Sequence, residues 1–250
     1  MSPVGLLAGR TTVVTGGGQG LGLAIAEEFA RQGAHVVVAD INAGAAASAA
    51  AAIRDHGGSA TYAVLDVRDE DSVAALVDSC LDRYGSIDSV VNNASVLRPA
   101  TIRRMSADEW DSVLDVHLKG TWLMMRAASR PMREQGSGSF VNISSIVAKT
   151  GGIAQAHYAA AKAGIVALTK SAAKEWAHDG VRVNAVQPGL FATPTSLTMS
   201  DDAWRRRVAD APMGRAGEPR ELASAVVFLA SEMSSFITGA VLEVAGGRDM

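Results

Sequence analysis

The sequence predicts a single α/β domain: a parallel sheet, doubly wound, with helices on both faces. Three observations predict it. Seven short runs rich in Val, Ile and Thr recur along the chain. Longer stretches of helical periodicity fill the gaps between them. The first run passes directly into a glycine-rich turn that opens a helix. Strand–helix alternation with apolar strands is the pattern of a parallel sheet buried on both faces.

The first strand is "TTVVT" (11–15), and it leads into "TGGGQGLG" (15–22). Gly16, Gln19, Gly20, Leu21 and Gly22 are the candidate phosphate cradle. Glycine lets backbone N–H groups approach a pyrophosphate, and a helix N-terminus adds positive potential. The spacing is Thr-Gly-x-x-x-Gly-x-Gly, not G-x-G-x-x-G. The helix "GLAIAEEFARQG" follows, then a second strand "HVVVA" (35–39) that ends at Asp40. An acidic residue there can accept hydrogen bonds from ribose hydroxyls and repels a 2′-phosphate. No Arg or Lys stands at 41 or 42, and Gln19 occupies a place where a basic residue could meet that phosphate. NAD is therefore expected rather than NADP. Asp40 is also a competent N-cap for the next helix. The third strand, "ATYAVL" (60–65), is followed by Asp66 and Val67, with Asp66 a candidate partner for the adenine amino group.

The helix "DSVAALVDSCLDRYG" stops at a glycine, as a C-terminus should. Four more strands are predicted: "IDSVVN" (87–92), "SFVNI" (139–143), "VRVNAV" (181–186) and "AVLEVA" (240–245). Between Pro188 and Pro219 there is no strand, only a helical stretch flanked by loops. Such an insertion lies beyond a strand's C-terminal end, where ligands bind in these sheets. No Pro/Ser-rich linker and no repeat divides the chain. One domain over 1–250 is expected, with a substrate lid at about 190–212.

Composition narrows the function classes. The 250 residues are 48% hydrophobic and 20% charged, with net charge −3 and pI about 6.0. That balance gives no electrostatic footprint for nucleic acid or a membrane surface. The single cysteine, Cys80, allows no internal disulfide, which fits a reducing compartment. The start, "MSPVGLLAGRTTVV", lacks a basic n-region and a long apolar core, so no signal peptide is expected. No apolar run is long enough to span a bilayer. The expected location is the cytoplasm, and no metal site is expected.

In "AHYAAAKAGIVALTK" (156–170), Tyr158 and Lys162 sit four apart and share one helical face. By composition alone such a pair is a solvated helix edge. The wider set of motifs gives it another meaning. Besides "TGGGQGLG", the chain carries "LDV" (65–67), "NNA" (92–94), "NISS" (142–145), "YAAAK" (158–162), "QPGLFAT" (187–193) and a closing "FLASEMSSFITGAVLEVAGG". In this order and spacing the chain resembles the classical short-chain dehydrogenase/reductase family over essentially its whole length. The resemblance implies a Rossmann-type fold and a nicotinamide cofactor. It implies Tyr158 as the acid/base of an alcohol–ketone interconversion. Lys162 would lower the phenol's pKa and hold the nicotinamide ribose, and Ser145 would orient the substrate oxygen. Phe191 and Thr193 would hold the nicotinamide end, and Asn93 and Ala94 would line the ribose.

Two departures stand out. Ser95 replaces the family's usual glycine after "NNA", which puts the local geometry in question. His117, in "VLDVHLKG" (113–120), replaces the family's usual Asn, the fourth member of a tetrad with Ser145, Tyr158 and Lys162. In the family that Asn supports a local helix distortion which exposes its own carbonyl to a water relay toward the Lys. The reading that follows is an NAD-dependent oxidoreductase acting on a small-molecule secondary alcohol or ketone, assembled as a homo-oligomer with a tetramer favoured. The alternatives are a reductase of 3-oxoacyl groups on a carrier protein or CoA, usually NADPH-linked, and a non-catalytic dinucleotide sensor. An enoyl reductase of the same fold spaces its Tyr and Lys more widely than "YAAAK" does. Substrate walls are expected from 95–105, 147–157 and 190–212. Arg98, Arg103 and Arg104, with Arg205, Arg206 and Arg207 from the lid, are candidates to meet an anionic substrate.

Overall fold

The strand runs form one sheet in the computed structural model of the chain, which describes residues 5–248. They are β1 (Thr11–Thr15), β2 (His35–Asp40), β3 (Ser59–Val64), β4 (Ser89–Asn92), β5 (Gly138–Ile143), β6 (Val181–Pro188) and β7 (Val241–Val244). The order across the sheet is β3-β2-β1-β4-β5-β6-β7. Every neighbouring pair is parallel. The chain steps outward from β1 to β3, then returns to the other side of β1 with β4. A crevice opens at such a reversal, outside the C-terminal ends of the strands. Residues 1–4 lie outside the described residues, and with them the first part of the segment read for a signal peptide. So do residues 249–250, the far end of the 1–250 span.

Helices cover both faces because alternate strand residues point to opposite sides. On one face Val14, Val36 and Val38 pack with Ile25 and Phe29 of α1 (Gly20–Arg31). Ala46, Ala50 and Ile53 of α2 (Ala43–Asp55) and Leu222 and Val226 of α9 (Pro219–Ala230) complete that layer. On the other face Val13, Val37 and Ala39 pack with Val73, Leu76 and Cys80 of α3 (Glu70–Tyr84) and with Met124 and Ala128 of α5 (Gly120–Glu134). Ala172 and Ala173 of α7 (Ala156–Trp176) close it. Each fully buried Ile, Leu or Phe contributes about 1.5–3 kcal/mol. The expectation of burial on both faces holds for the inner strands and fails at the edges. In β3, Tyr62 and Val64 are exposed, and β7 carries the half-open Leu242. An edge strand lacks a neighbour on one side, and helices cover it only in part.

Local sequence sets the helix ends. Asn42 caps α2 by accepting from the Ala45 N–H, and Asp69 caps α3. Gly85, at φ 77°, closes α3 in the left-handed conformation that glycine adopts freely. Ser106 and Glu109 form a capping box on α4 (Ala107–Leu114). Between α4 and α5 the helix widens into a π turn over Asp115–Lys119. Two shorter helices, α6 (Val147–Thr150) and α8 (Asp201–Ala209), lie in the connections that follow β5 and β6. Among the described residues no helix is long and apolar enough to cross a membrane, and no His/Cys/Asp/Glu group is arranged to hold a metal ion. Burial pushes the Cys80 thiol up to about 11, so it is a packing residue rather than a nucleophile.

Candidate active site

A cleft of about 850 Å³ opens at the C-terminal ends of the strands. The turn after β1 forms one end of it. Gly16 and Gly20 have φ of 62° and 58°. A Cβ on Gly22 would stand 2.1 Å from the Gly16 carbonyl oxygen, so α1 can seat on the turn only through glycine. The N-terminus of α1 has no side-chain cap and no acidic residue in its first turn. Its N–H groups therefore remain available to an anion, unlike those of the capped α2, α3 and α4.

Asp40 is held at the end of β2 by two backbone donors. Its Oδ2 accepts from the Gly18 N–H and its Oδ1 from the Asn42 N–H, both at 3.0 Å. Asn42, not Asp40, caps α2, so the capping reading of Asp40 does not hold. Asp66 also faces the cleft, but its carboxylate is gripped by Arg68, whose Nη2 lies 2.6 Å from Oδ2. The Arg68 guanidinium holds the Asp66 carboxyl below its usual range. Nothing in the sequence pattern singled out Arg68.

Thr15 and Asn93 brace the turn from the β4 side. The Thr15 hydroxyl accepts from the N–H groups of Asn93 and Ala94 at 3.0 and 3.1 Å. Asn93 Nδ2 donates to the carbonyls of Thr15 and Gly16, each at 3.0 Å. The Asn93 amide thus serves to fix the glycine turn while the residue lines the cleft. Ser95 lines the cleft without backbone strain. Among the described residues Ala154 is the only non-glycine at positive φ.

At the other end stand Tyr158 and its neighbours. Ser145 follows β5 and is 7% exposed; its hydroxyl accepts from the Val147 N–H at 3.3 Å. Lys162 lies one turn beyond Tyr158 on α7 and is 3% exposed. Its Nζ is 5.6 Å from the Tyr158 ring centroid and donates to the Ile143 carbonyl at 2.6 Å. Burial pushes the Lys162 ammonium down to about 7. Burial also raises the Tyr158 phenol above its ordinary value, while a hydrogen bond with Ser145 and the charge of Arg207 pull it back. Burial is the largest of these effects on the phenol, and Lys162 is not among them.

His117 sits in the π turn, 1% exposed, with its ring edge-on to Tyr158 at 5.2 Å between centroids. Its Nε2 is 2.9 Å from the Val96 carbonyl and 3.2 Å from the Val96 N–H. Nδ1 is buried without a partner. An orphaned donor is costlier than a bare lone pair in a site where Nε2 can donate, so the neutral ring carries its proton on Nε2. Burial, reinforced by the Lys162 charge, pushes its pKa down to about 3. Its backbone carbonyl accepts from the Thr121 hydroxyl at 2.7 Å.

Phe191 and Thr193 line the middle of the cleft after β6. The Ser196 hydroxyl donates to the Phe191 carbonyl at 2.6 Å and accepts from the Thr193 N–H at 2.8 Å, which shapes this loop. Every residue assigned to the dinucleotide therefore borders the cleft except Lys162, which lies behind the wall. Of the expected substrate walls, 95–98 and 190–199 with Arg207 contribute, and 147–157 does not. Sequence reasoning included Thr15 in the glycine motif but gave no bracing role to it, to Ser196, or to Asn142 and Thr169. The last two link β5 to α7 by a buried 2.9 Å hydrogen bond.

The profile of the family described as Enoyl-(Acyl carrier protein) reductase matches residues 16–249. An uncharacterized oxidoreductase of Mycobacterium bovis is 50% identical over 244 residues, covering 97% of this chain and 98% of its own. A 3-oxoacyl-[acyl-carrier-protein] reductase of Chlamydia muridarum is 44% identical over 243 residues, with 97% and 98% covered. A cis-4-hydroxycyclohexanecarboxylate dehydrogenase of Sinomonas cyclohexanicum is 43% identical over 241 residues, 96% of each chain. The crystal structure of gox2181 superposes with a TM-score of 0.93 at 34% identity, covering 96% of each chain.

Proposed function

The chain belongs to the short-chain dehydrogenase/reductase family, and on that premise we propose that it is an NAD-dependent oxidoreductase interconverting a secondary alcohol and a ketone. One observation carries this reading. A single cleft joins an uncapped helix N-terminus and a fixed Asp40 at one end to Tyr158, backed by Ser145 and Lys162, at the other. Gly16, Gln19, Gly20, Leu21 and Gly22 would hold the pyrophosphate, and Asp40 the adenosine ribose. Asp66, Val67, Asn93 and Ala94 would line the adenosine half; Lys162, Phe191 and Thr193 would meet the nicotinamide half. When bound, the nicotinamide supplies or accepts the hydride.

Tyr158 gives its proton to the substrate oxygen in reduction and takes one in oxidation. A phenol at or above its ordinary value of about 10 is protonated at neutral pH, which readies it as a donor. Ser145 holds the substrate oxygen beside it. The Lys162 ammonium stabilises the phenolate that remains after the proton leaves. His117, neutral at working pH, holds the π turn through Val96 rather than titrating. The 190–212 segment, with α8, acts as the lid. Exposed Met233, Phe236 and Leu242 near the C-terminus, with Trp122 on α5, support assembly into a homo-oligomer through these faces.

The names of the relatives favour two substrate classes, a 3-oxoacyl carrier and a small hydroxy acid. The cofactor separates the readings. Asp40 keeps both oxygens on backbone donors, and a carboxylate after the second strand would repel a 2′-phosphate on the adenosine ribose. Steady-state assays with both cofactors test this. NADH should give much the higher kcat/KM, and Asp40→Ala should narrow the gap. Equal or better kcat/KM with NADPH would overturn the NAD assignment.

A further inference from the structure

The catalytic end of the cleft is positively charged. The carboxylates that border the cleft are Asp40 and Asp66, both at the adenosine end, and Asp66 is paired with Arg68. The other cations that border the cleft are Arg98, whose carbonyl meets His157, and Arg207, whose charge acts on the Tyr158 phenol. Arg98 is tied in place. Its Nη1 donates to the Leu97 carbonyl, and its own carbonyl lies 2.6 Å from Nε2 of His157, the residue before Tyr158.

The lid helix α8 carries three consecutive arginines, and their positions differ. Arg205 is exposed and paired with Asp202. Arg206 is exposed to solvent. Arg207 is half-buried and forms part of the cleft wall. Among the described residues no carboxylate pairs with it and no carbonyl accepts from it. The nearest acid along the helix, Asp210, is paired with Arg248. Arg207 is close enough to Tyr158 for its charge to act on the phenol. The nitrogens of Arg207 still reach water in the open cleft, so a ligand's acceptor can take the place of that water. Its planar fork suits a carboxylate in two parallel hydrogen bonds.

We propose that Arg207 binds the carboxylate of the substrate, so that the enzyme acts on hydroxy acids and oxo acids whose carboxylate lies within one small ring or short chain of the reacting carbon. This rests on the oxidoreductase reading of the same site and narrows it. A 3-oxoacyl thioester carries no charge near its keto group, and the phosphate of its carrier arm lies far from the reacting carbon. An anion held by Arg207 beside Tyr158 would therefore belong to the substrate itself and not to a carrier arm.

Two measurements test it. In the first, calorimetry follows cyclohexanecarboxylate, which cannot react, and its methyl ester binding to the NAD-loaded protein. The acid should bind about ten- to a hundredfold more tightly than the ester, and Arg207→Met should erase that difference. Arg207→Lys should restore part of it. NADH affinity, read by its fluorescence, should be unchanged in both variants. In the second, NADH-linked reduction is followed for 4-oxopentanoate and 4-oxocyclohexanecarboxylate, their methyl esters, and the N-acetylcysteamine thioester of 3-oxobutanoate. The acids should be preferred, with the Arg207→Met loss appearing mainly in KM for the acids. Equal binding of acid and ester, or weaker NADH binding in Arg207→Met, would overturn the proposal, the latter by placing Arg207 on the cofactor. Esters and thioester turned over as well as the acids would sink the carboxylate while leaving the oxidoreductase reading standing. Failure of every ketone, with tight and Arg207-dependent acid binding, would sink that reading and leave the anion site.

Discussion

His117 lies within hydrogen-bond distance of Val96 at both the carbonyl and the N–H, and it is neutral at any working pH. Asn offers both a donor and an acceptor, one bond short of the Nε2 position, and the backbone of the turn is unchanged by the substitution. His117→Asn should therefore keep the π turn and remain within about tenfold of wild-type kcat, short of a lost acid/base group. The shape of its pH–rate profile should not change. His117→Leu cannot make the bond to Val96 and should cost more. Stability gives an independent signature. The folded pKa is about 3, against about 6.5 for an unfolded histidine. Between these values the unfolded chain binds a proton that the folded chain does not. His117 thus contributes stability that is complete above about pH 6.5 and lost as pH falls toward 3. Denaturant titrations at pH 7 and 4.5 should show His117→Asn gaining on wild type at the lower pH. A gap that stays constant would show that the ring is not buried neutral.

Helix α7 presents Tyr158 and Lys162 on successive turns and is held to β5 through Asn142 and Thr169. Lys162 is lowered to about 7 by burial, so its charge is present on the acid side of neutrality and lost above it. Ketone reduction should accordingly decline as pH rises through about 7, measured as kcat under saturating NADH. A rate that stays flat from pH 6 to 9 would show that the ammonium is not needed. Much at this scale was legible in the sequence. β1 is the run "TTVVT" to the residue, because a strand buried on both faces is written almost wholly in β-branched residues. Asp40 and the glycine turn were readable because backbone approach tolerates few residue types. Other features were not. The π turn adds one residue to a helix whose apolar periodicity continues across it, so only the family resemblance at His117 pointed to a distortion. β3 starts one residue earlier than its apolar run, because an edge strand is defined by pairing with β2 and not by burial. Three adjacent arginines look alike in a sequence, and only the rotation of α8 over the cleft distinguishes Arg207 from Arg205 and Arg206.

Across the whole molecule, the sheet reversal between β1 and β4 brings distant segments to one cleft: the β1 turn, the ends of β2 and β4, α7 and the lid. The central claim is that this cleft performs hydride chemistry with Tyr158 as the proton donor. The most direct measurement is single-turnover reduction of one ketone by the wild type and by Tyr158→Phe, each saturated with NADH, with NADH binding titrated in parallel. The substitution removes the proton and little volume. The rate should fall by about 10²–10⁴-fold, with NADH affinity unchanged. A Tyr158→Phe enzyme that reduces the ketone at near wild-type rate would contradict the account.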